Sequence, residues 1–128
     1  MSVIYYNSMN NNAGNRLQKI LEAANSEKKI ERCRSIEELS IRLRQSNLEN
    51  NIAILVINAK EEIYQICSIK KLSNNIRIIL ILPDRSNEII SLGFKLYPRF
   101  ISYIDNDFKD VADVLKRMML AEKNEAAA

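Results

Sequence analysis

A chain of 128 residues with 47% apolar side chains and only two Gly and two Pro is long enough for one packed core, and this composition excludes a low-complexity or disordered segment. Nineteen basic and sixteen acidic residues leave a net charge of +3 spread along the chain, which argues against a concentrated nucleic-acid-binding face. The absence of histidine excludes chemistry that needs an imidazole base, and two distant cysteines, Cys33 and Cys67, do not make a four-ligand zinc site.

Short runs rich in Ile and Val alternate with longer segments of helical period. A first strand is predicted over residues 2–6. A helix follows over 16–25, with Leu17, Ile20, Leu21 and Ala24 at the spacing of one buried face. The stretch before it, Asn7, Asn10, Asn11, Asn12, Gly14 and Asn15, reads as a loop, since Asn favours turns and caps. It matches neither glycine-rich phosphate-binding pattern. Residues 30–34 alternate apolar and charged, as an edge strand with one wet face does. Lys28, Lys29, Arg32 and Arg34, interrupted by Glu27 and Glu31, read as a solvated strand and loop.

Ser35 and Glu38 form a capping box that starts a second helix, with Ile36, Leu39 and Leu43 as its buried stripe and Asn50 and Asn51 as its break. The unbroken apolar run 52–57 has the character of a central parallel strand covered on both faces. A third helix is predicted over 60–72 through Ile63, Ile66, Cys67 and Ile69. Residues 76–82 form a fourth strand ended by Pro83. A fourth helix spans 87–96, with Gly93 inside it and Pro98 closing it. A fifth strand covers 100–104. Asn106 or Asp107 caps a last helix whose apolar face is Phe108, Val111, Ala112, Leu115, Met118 and Met119. Five βα units imply an open, doubly wound α/β sheet rather than a closed barrel. Residues 1–125 are assigned to one domain, and 126–128, three alanines, are set aside as a tail. The N-terminus does not have the pattern of a secretory signal, and the longest apolar run is too short to span a bilayer. A cytoplasmic protein with reduced cysteines, and no membrane or nucleic-acid partner, is therefore expected.

The order and spacing of these elements, with the apolar run Arg77 to Leu82, the Gly-containing helix and the amphipathic last helix, resemble the receiver domains of two-component response regulators from residue 2 to residue 119. The resemblance implies a flavodoxin-like sheet of strand order 2-1-3-4-5. It also implies a pocket at the strand ends, where that family places acidic magnesium ligands after strand one and a phosphorylated Asp after strand three. Strand four there ends in Ser or Thr, and strand five in Lys, usually before Pro. This chain departs at each position: Asn7 follows strand one, Asn58 follows strand three, Leu82 ends strand four and Tyr103 stands near the Lys position. An amide is not the carboxylate nucleophile that an aspartyl phosphate needs, nor a charged ligand for magnesium. A degenerate pocket without cofactor, metal or catalysis is expected.

The carboxyl ends of parallel strands are where such sheets bind ligands. Asp84, Asp105 and Asp107 fall on that edge, either as a candidate cation site or as turn and cap residues. Tyr97 and Tyr103 are candidate interface residues on the face made by the fourth helix, fifth strand and fifth helix, the face the resemblance implies for dimer or partner contacts. Two functions stand open. One is a signalling module that does not accept phosphate and works through protein contacts. The other is a flavodoxin-like ligand-binding or enzymatic domain using the strand-end pocket.

Overall fold

The computed structural model describes residues 3–9, 12–24, 30–45, 52–70 and 76–127. The elements run β1 (Val3–Asn7), α1 (Asn12–Ala24), β2 (Ile30–Cys33), α2 (Ile36–Gln45), β3 (Ile52–Val56), α3 (Lys60–Lys70), β4 (Arg77–Leu82), α4 (Asn87–Phe94), β5 (Phe100–Tyr103) and α5 (Lys109–Ala127). All strand pairs are parallel and the order is β2-β1-β3-β4-β5, as the sequence pattern and the resemblance imply. Among the described residues no helix is long and apolar enough to cross a membrane.

The apolar runs split between two cores because side chains alternate along a strand. Val3, Tyr5, Ile52, Ile54, Val56, Ile79 and Ile81 face α1 and α5, where Leu17, Leu21, Phe108, Val111 and Leu115 close the layer. Ile4, Tyr6, Cys33, Ala53, Leu55, Ile78, Leu80 and Leu82 face α2, α3 and α4, meeting Leu39, Leu43, Ile63, Ile66, Ile89 and Leu92. A continuous run is thus buried on both faces, while β2, at the sheet edge, is mostly half-exposed. Gly93 lets α4 approach the sheet: a Cβ there would meet Leu80 Cδ2 at 2.9 Å.

Several boundaries differ from expectation. The first helix starts at Asn12, about one turn early, so Asn12, Gly14 and Asn15 are helical rather than loop. Turn propensity is overridden by a tertiary contact, the buried Tyr5 hydroxyl donating to the Gly14 carbonyl at 3.1 Å. Asn10, Asn11, Asn50, Asn51 and Leu72 lie outside the described residues. The capping box forms with a shift: Ser35 Oγ accepts from the Glu38 N–H at 3.1 Å, while Glu38 reaches the N–H of Arg34, one residue before Ser35. The fourth helix ends at Phe94 and turns through Tyr97 at φ 51°. The last helix begins after Phe108, itself at φ 66°, with Asp107 accepting from the Lys109 N–H at 3.0 Å. That helix continues through Ala126 and Ala127, two of the three alanines set aside as a tail.

Candidate functional site

The carboxyl edge of the sheet holds every residue singled out for a pocket, and the structure treats its two ends differently. At the β1–β3 end, Asn7 is fully buried and Asn58 is half-buried. Asn58 Nδ2 donates to Asn7 Oδ1 at 3.1 Å and to Ser8 Oγ at 3.3 Å. Asn7 also accepts from the Met9 N–H at 3.1 Å and donates to the Tyr5 hydroxyl at 3.2 Å. The two amides that replace the expected acids therefore bond to each other, and both oxygen lone pairs of Asn7 are used.

Beneath them lies a carboxylate that the sequence reading passed over. Glu62, in the first turn of α3, is buried at 9% exposure. Its Oε1 accepts from the backbone N–H groups of Asn58 at 2.9 Å and Ala59 at 3.1 Å. Its Oε2 accepts from the Tyr6 hydroxyl and from Ser8 Oγ, the latter at 3.2 Å. The carboxylate thus caps its own helix, where free N–H groups and the helix dipole favour negative charge. Burial and then the bond to Glu62 push the Tyr6 hydroxyl far above the ordinary phenol range. Burial similarly raises Tyr5. A signal for Glu62 was present in sequence: it precedes Ile66 by four residues, and positions i and i+4 share a helix face.

A hard divalent cation selects charged oxygens with free lone pairs. Here the strand ends offer two mutually bonded amides and one carboxylate whose oxygens both face donors, so these residues do not fit a magnesium ion. Among the described residues no group of three acidic, Cys or His side chains is arranged to hold a metal.

At the β4–β5 end, Leu82 and Tyr103 are register partners. Leu82 is fully buried, and Tyr103 packs half-buried against the same core under the Arg85 guanidinium, 4.3 Å from the ring centroid. Leu82 and Tyr103 close their end by apolar packing and take no part in the Asn7–Asn58 network. Arg85 pairs with Asp105 at 2.6 Å and reaches Asn106 Oδ1 at 3.3 Å. The Arg85 hydrogen bond holds the Asp105 carboxyl below its ordinary range, and the Ser86 hydrogen bonds do the same for Asp84. Asp84 accepts from the Ser86 N–H at 2.8 Å, and Asp107 caps Lys109. The three aspartates therefore serve a turn, an ion pair and a cap rather than a shared cation site.

Tyr97 and Tyr103 stand at opposite ends of β5, one before its entrance and one at its exit. Tyr97 is 82% exposed, and Phe94, three residues before it and not singled out from the sequence, is 60% exposed. Cys33 is buried and its thiol is pushed up to about 11, chiefly by burial; Cys67 is half-buried, and both are free.

No family model matches the chain, and no curated protein does. Among solved structures the chain is similar to a protein from Burkholderia thailandensis provisionally named as a pilus assembly protein, CpaE. That match has a TM-score of 0.65 and 16% identity, covering 93% of this chain and 98% of the other. At that identity the likeness speaks to the fold, a five-stranded receiver-like α/β sheet.

Proposed function

We propose that the domain is a receiver-like signalling module that is not phosphorylated, is not an enzyme and works through contact with a protein partner or a second copy. The observation that carries this reading is the closed strand-end network. The positions where a receiver carries its acids are occupied by Asn7 and Asn58 bonded to each other over a Glu62 whose lone pairs are already engaged. Such a site has neither a free nucleophile nor an open metal position. Treatment with acetyl phosphate and magnesium should leave the intact mass unchanged. A stoichiometric phosphoryl group on Asp84 or Asp105 would overturn that half of the proposal.

The contact surface is assigned to α4, β5 and α5. Phe94 and Tyr97 supply exposed aromatic area there, the kind of side chain that anchors interfaces. The exposed charge of α2, with Glu37, Glu38 and Arg44, suits a dry interface less well. The name of the structural neighbour ties that protein to pilus assembly, and we take components of such an assembly as the first partners to test. Tyr97→Asp is the informative variant. It removes the ring, and Asp tolerates the left-handed backbone at this position better than Tyr does. Cross-linked complexes from the source organism should be lost with Phe94→Asp or Tyr97→Asp and retained with Arg42→Glu. The reverse pattern would place the contact on the opposite side.

A further inference from the structure

A cleft of about 140 Å³ opens at the carboxyl edge between β1 and β2, lined by Asn7, Ser8, Met9, Arg32 and Arg34. It lies beside the closed Asn7–Asn58 network and at the far end of the sheet from β5. Arg32 and Arg34 flank Cys33, which is buried toward α2, α3 and α4. By strand alternation Arg32 therefore points to the α1 side, and Arg34, one residue past the strand end, lines the same cleft. Arg32 opposes Tyr5 in register, with its guanidinium 5.8 Å from the ring centroid, and Nη1 donates to Gln18 Oε1 of α1 at 2.9 Å. The guanidinium is thus held in place before any ligand arrives. Its Nε is buried with no acceptor among the described residues, and the bond to Gln18 uses one of the guanidinium's five N–H donors.

The Arg34 side chain is exposed and is not ion-paired among the described residues. The nearby acids are occupied elsewhere. Glu31 points to the other face and pairs with Arg42 at 3.2 Å. Glu38 accepts the Arg34 backbone N–H at 2.6 Å as part of the α2 cap. Glu62, which takes the Ser8 hydroxyl, has both oxygens engaged. Among the described residues no lining side chain is a carboxylate, and two are cations whose planar donor forks match a tetrahedral oxyanion. The volume is roughly ten times the 10–15 Å³ of such space that one water needs, which leaves room for a phosphate group and its hydration.

We propose that this cleft binds the phosphate group of a small phosphorylated molecule, whose remainder lies outside it. The site is separate from the contact face assigned above and stands or falls independently of it. Pyrophosphate is the probe, titrated into isotopically labelled protein at low ionic strength and followed by amide chemical shifts, with sodium chloride at matched ionic strength as control. Saturable shifts are expected at Ser8, Met9, Cys33 and Arg34 and not in α4. Arg34→Ala, a change at an exposed side chain whose folding the same spectrum reports, should weaken binding by about tenfold or more, as losing a charged hydrogen-bond partner does. Arg32→Lys, which keeps the charge but loses the fork, should also weaken it. Shifts absent from the cleft, matched by chloride, or unchanged in affinity in Arg34→Ala would overturn the proposal.

Discussion

The two ends of the carboxyl edge use the same kinds of side chain to opposite effect. At the β1–β3 end, a buried carboxylate takes four donors from Tyr6, Ser8 and two backbone N–H groups, and a fully buried Asn7 bridges to Asn58. At the β4–β5 end, Asp84, Arg85 and Asp105 lie in solvent and bond to near neighbours. Burial, rather than residue type, decides which of these contacts the fold depends on. A buried group that loses its partner bears the full desolvation cost, while an exposed one falls back on water.

Substitutions at three kinds of site sharpen that contrast, in falling order of effect. Ile54 lies in the row Arg32, Tyr5, Ile54, Ile79, Phe100 that crosses all five strands, and it is fully buried. Ile54→Ala should cost about 2–5 kcal/mol in a urea melt, and Ile79→Ala a similar amount, which sets the scale for a core position. A loss well under about 1 kcal/mol at both would mean that the sheet is not covered on both faces.

Glu62→Ala comes next, at about 2–4 kcal/mol, because it strands the buried Tyr6 hydroxyl and uncaps α3. Glu62→Gln keeps one acceptor but turns an NH₂ toward a donor, so its midpoint should fall between those of wild type and Glu62→Ala. A wild-type midpoint for Glu62→Ala would mean that the network carries no stability.

Asp105→Asn should be the smallest. Arg85 holds Asp105 below the ordinary carboxylate range of about 4. A lowered pKa means that the pair's contribution is present above that range and is lost as pH falls through the lowered value. Both side chains are more than half exposed, so screening leaves little of it. Urea midpoints of wild type and Asp105→Asn should coincide at pH 7, and a clear separation would show that the two ends of the edge are more alike than their burial implies.

The sheet was legible because a run such as Ile52 to Val56, apolar without alternation, has few explanations other than a strand covered on both faces. The amides at Asn7 and Asn58 were legible as departures from the receiver pattern. Their bond to each other was not, because it joins residues 51 positions apart and depends on the β1–β3 register. Glu62 beside Glu61 looked like ordinary first-turn acid, and only its phase relative to Ile66 set it apart. Phe94 was missed for the opposite reason: an aromatic in an apolar helix is ordinarily read as core, yet it is largely exposed here. Tyr103, read as a candidate interface ring, is half-buried, and the Arg85 guanidinium that pairs with Asp105 also lies across it, a contact that joins two loops and was not legible in the sequence.

The positive φ at Phe108 has a consequence for how the molecule opens. A bulky side chain in the left-handed region is held there only by its surroundings, and the Phe108 ring is fully buried with the α1 residue Arg16 over it, 5.6 Å from the centroid. The start of α5 is therefore secured by α1, two helices far apart in sequence and adjacent on one side of the sheet. If α1 peels away, Phe108 loses both its cover and the reason for its backbone geometry. The two helices should then exchange their amide hydrogens as one cooperative unit, distinct from the three-helix layer opposite.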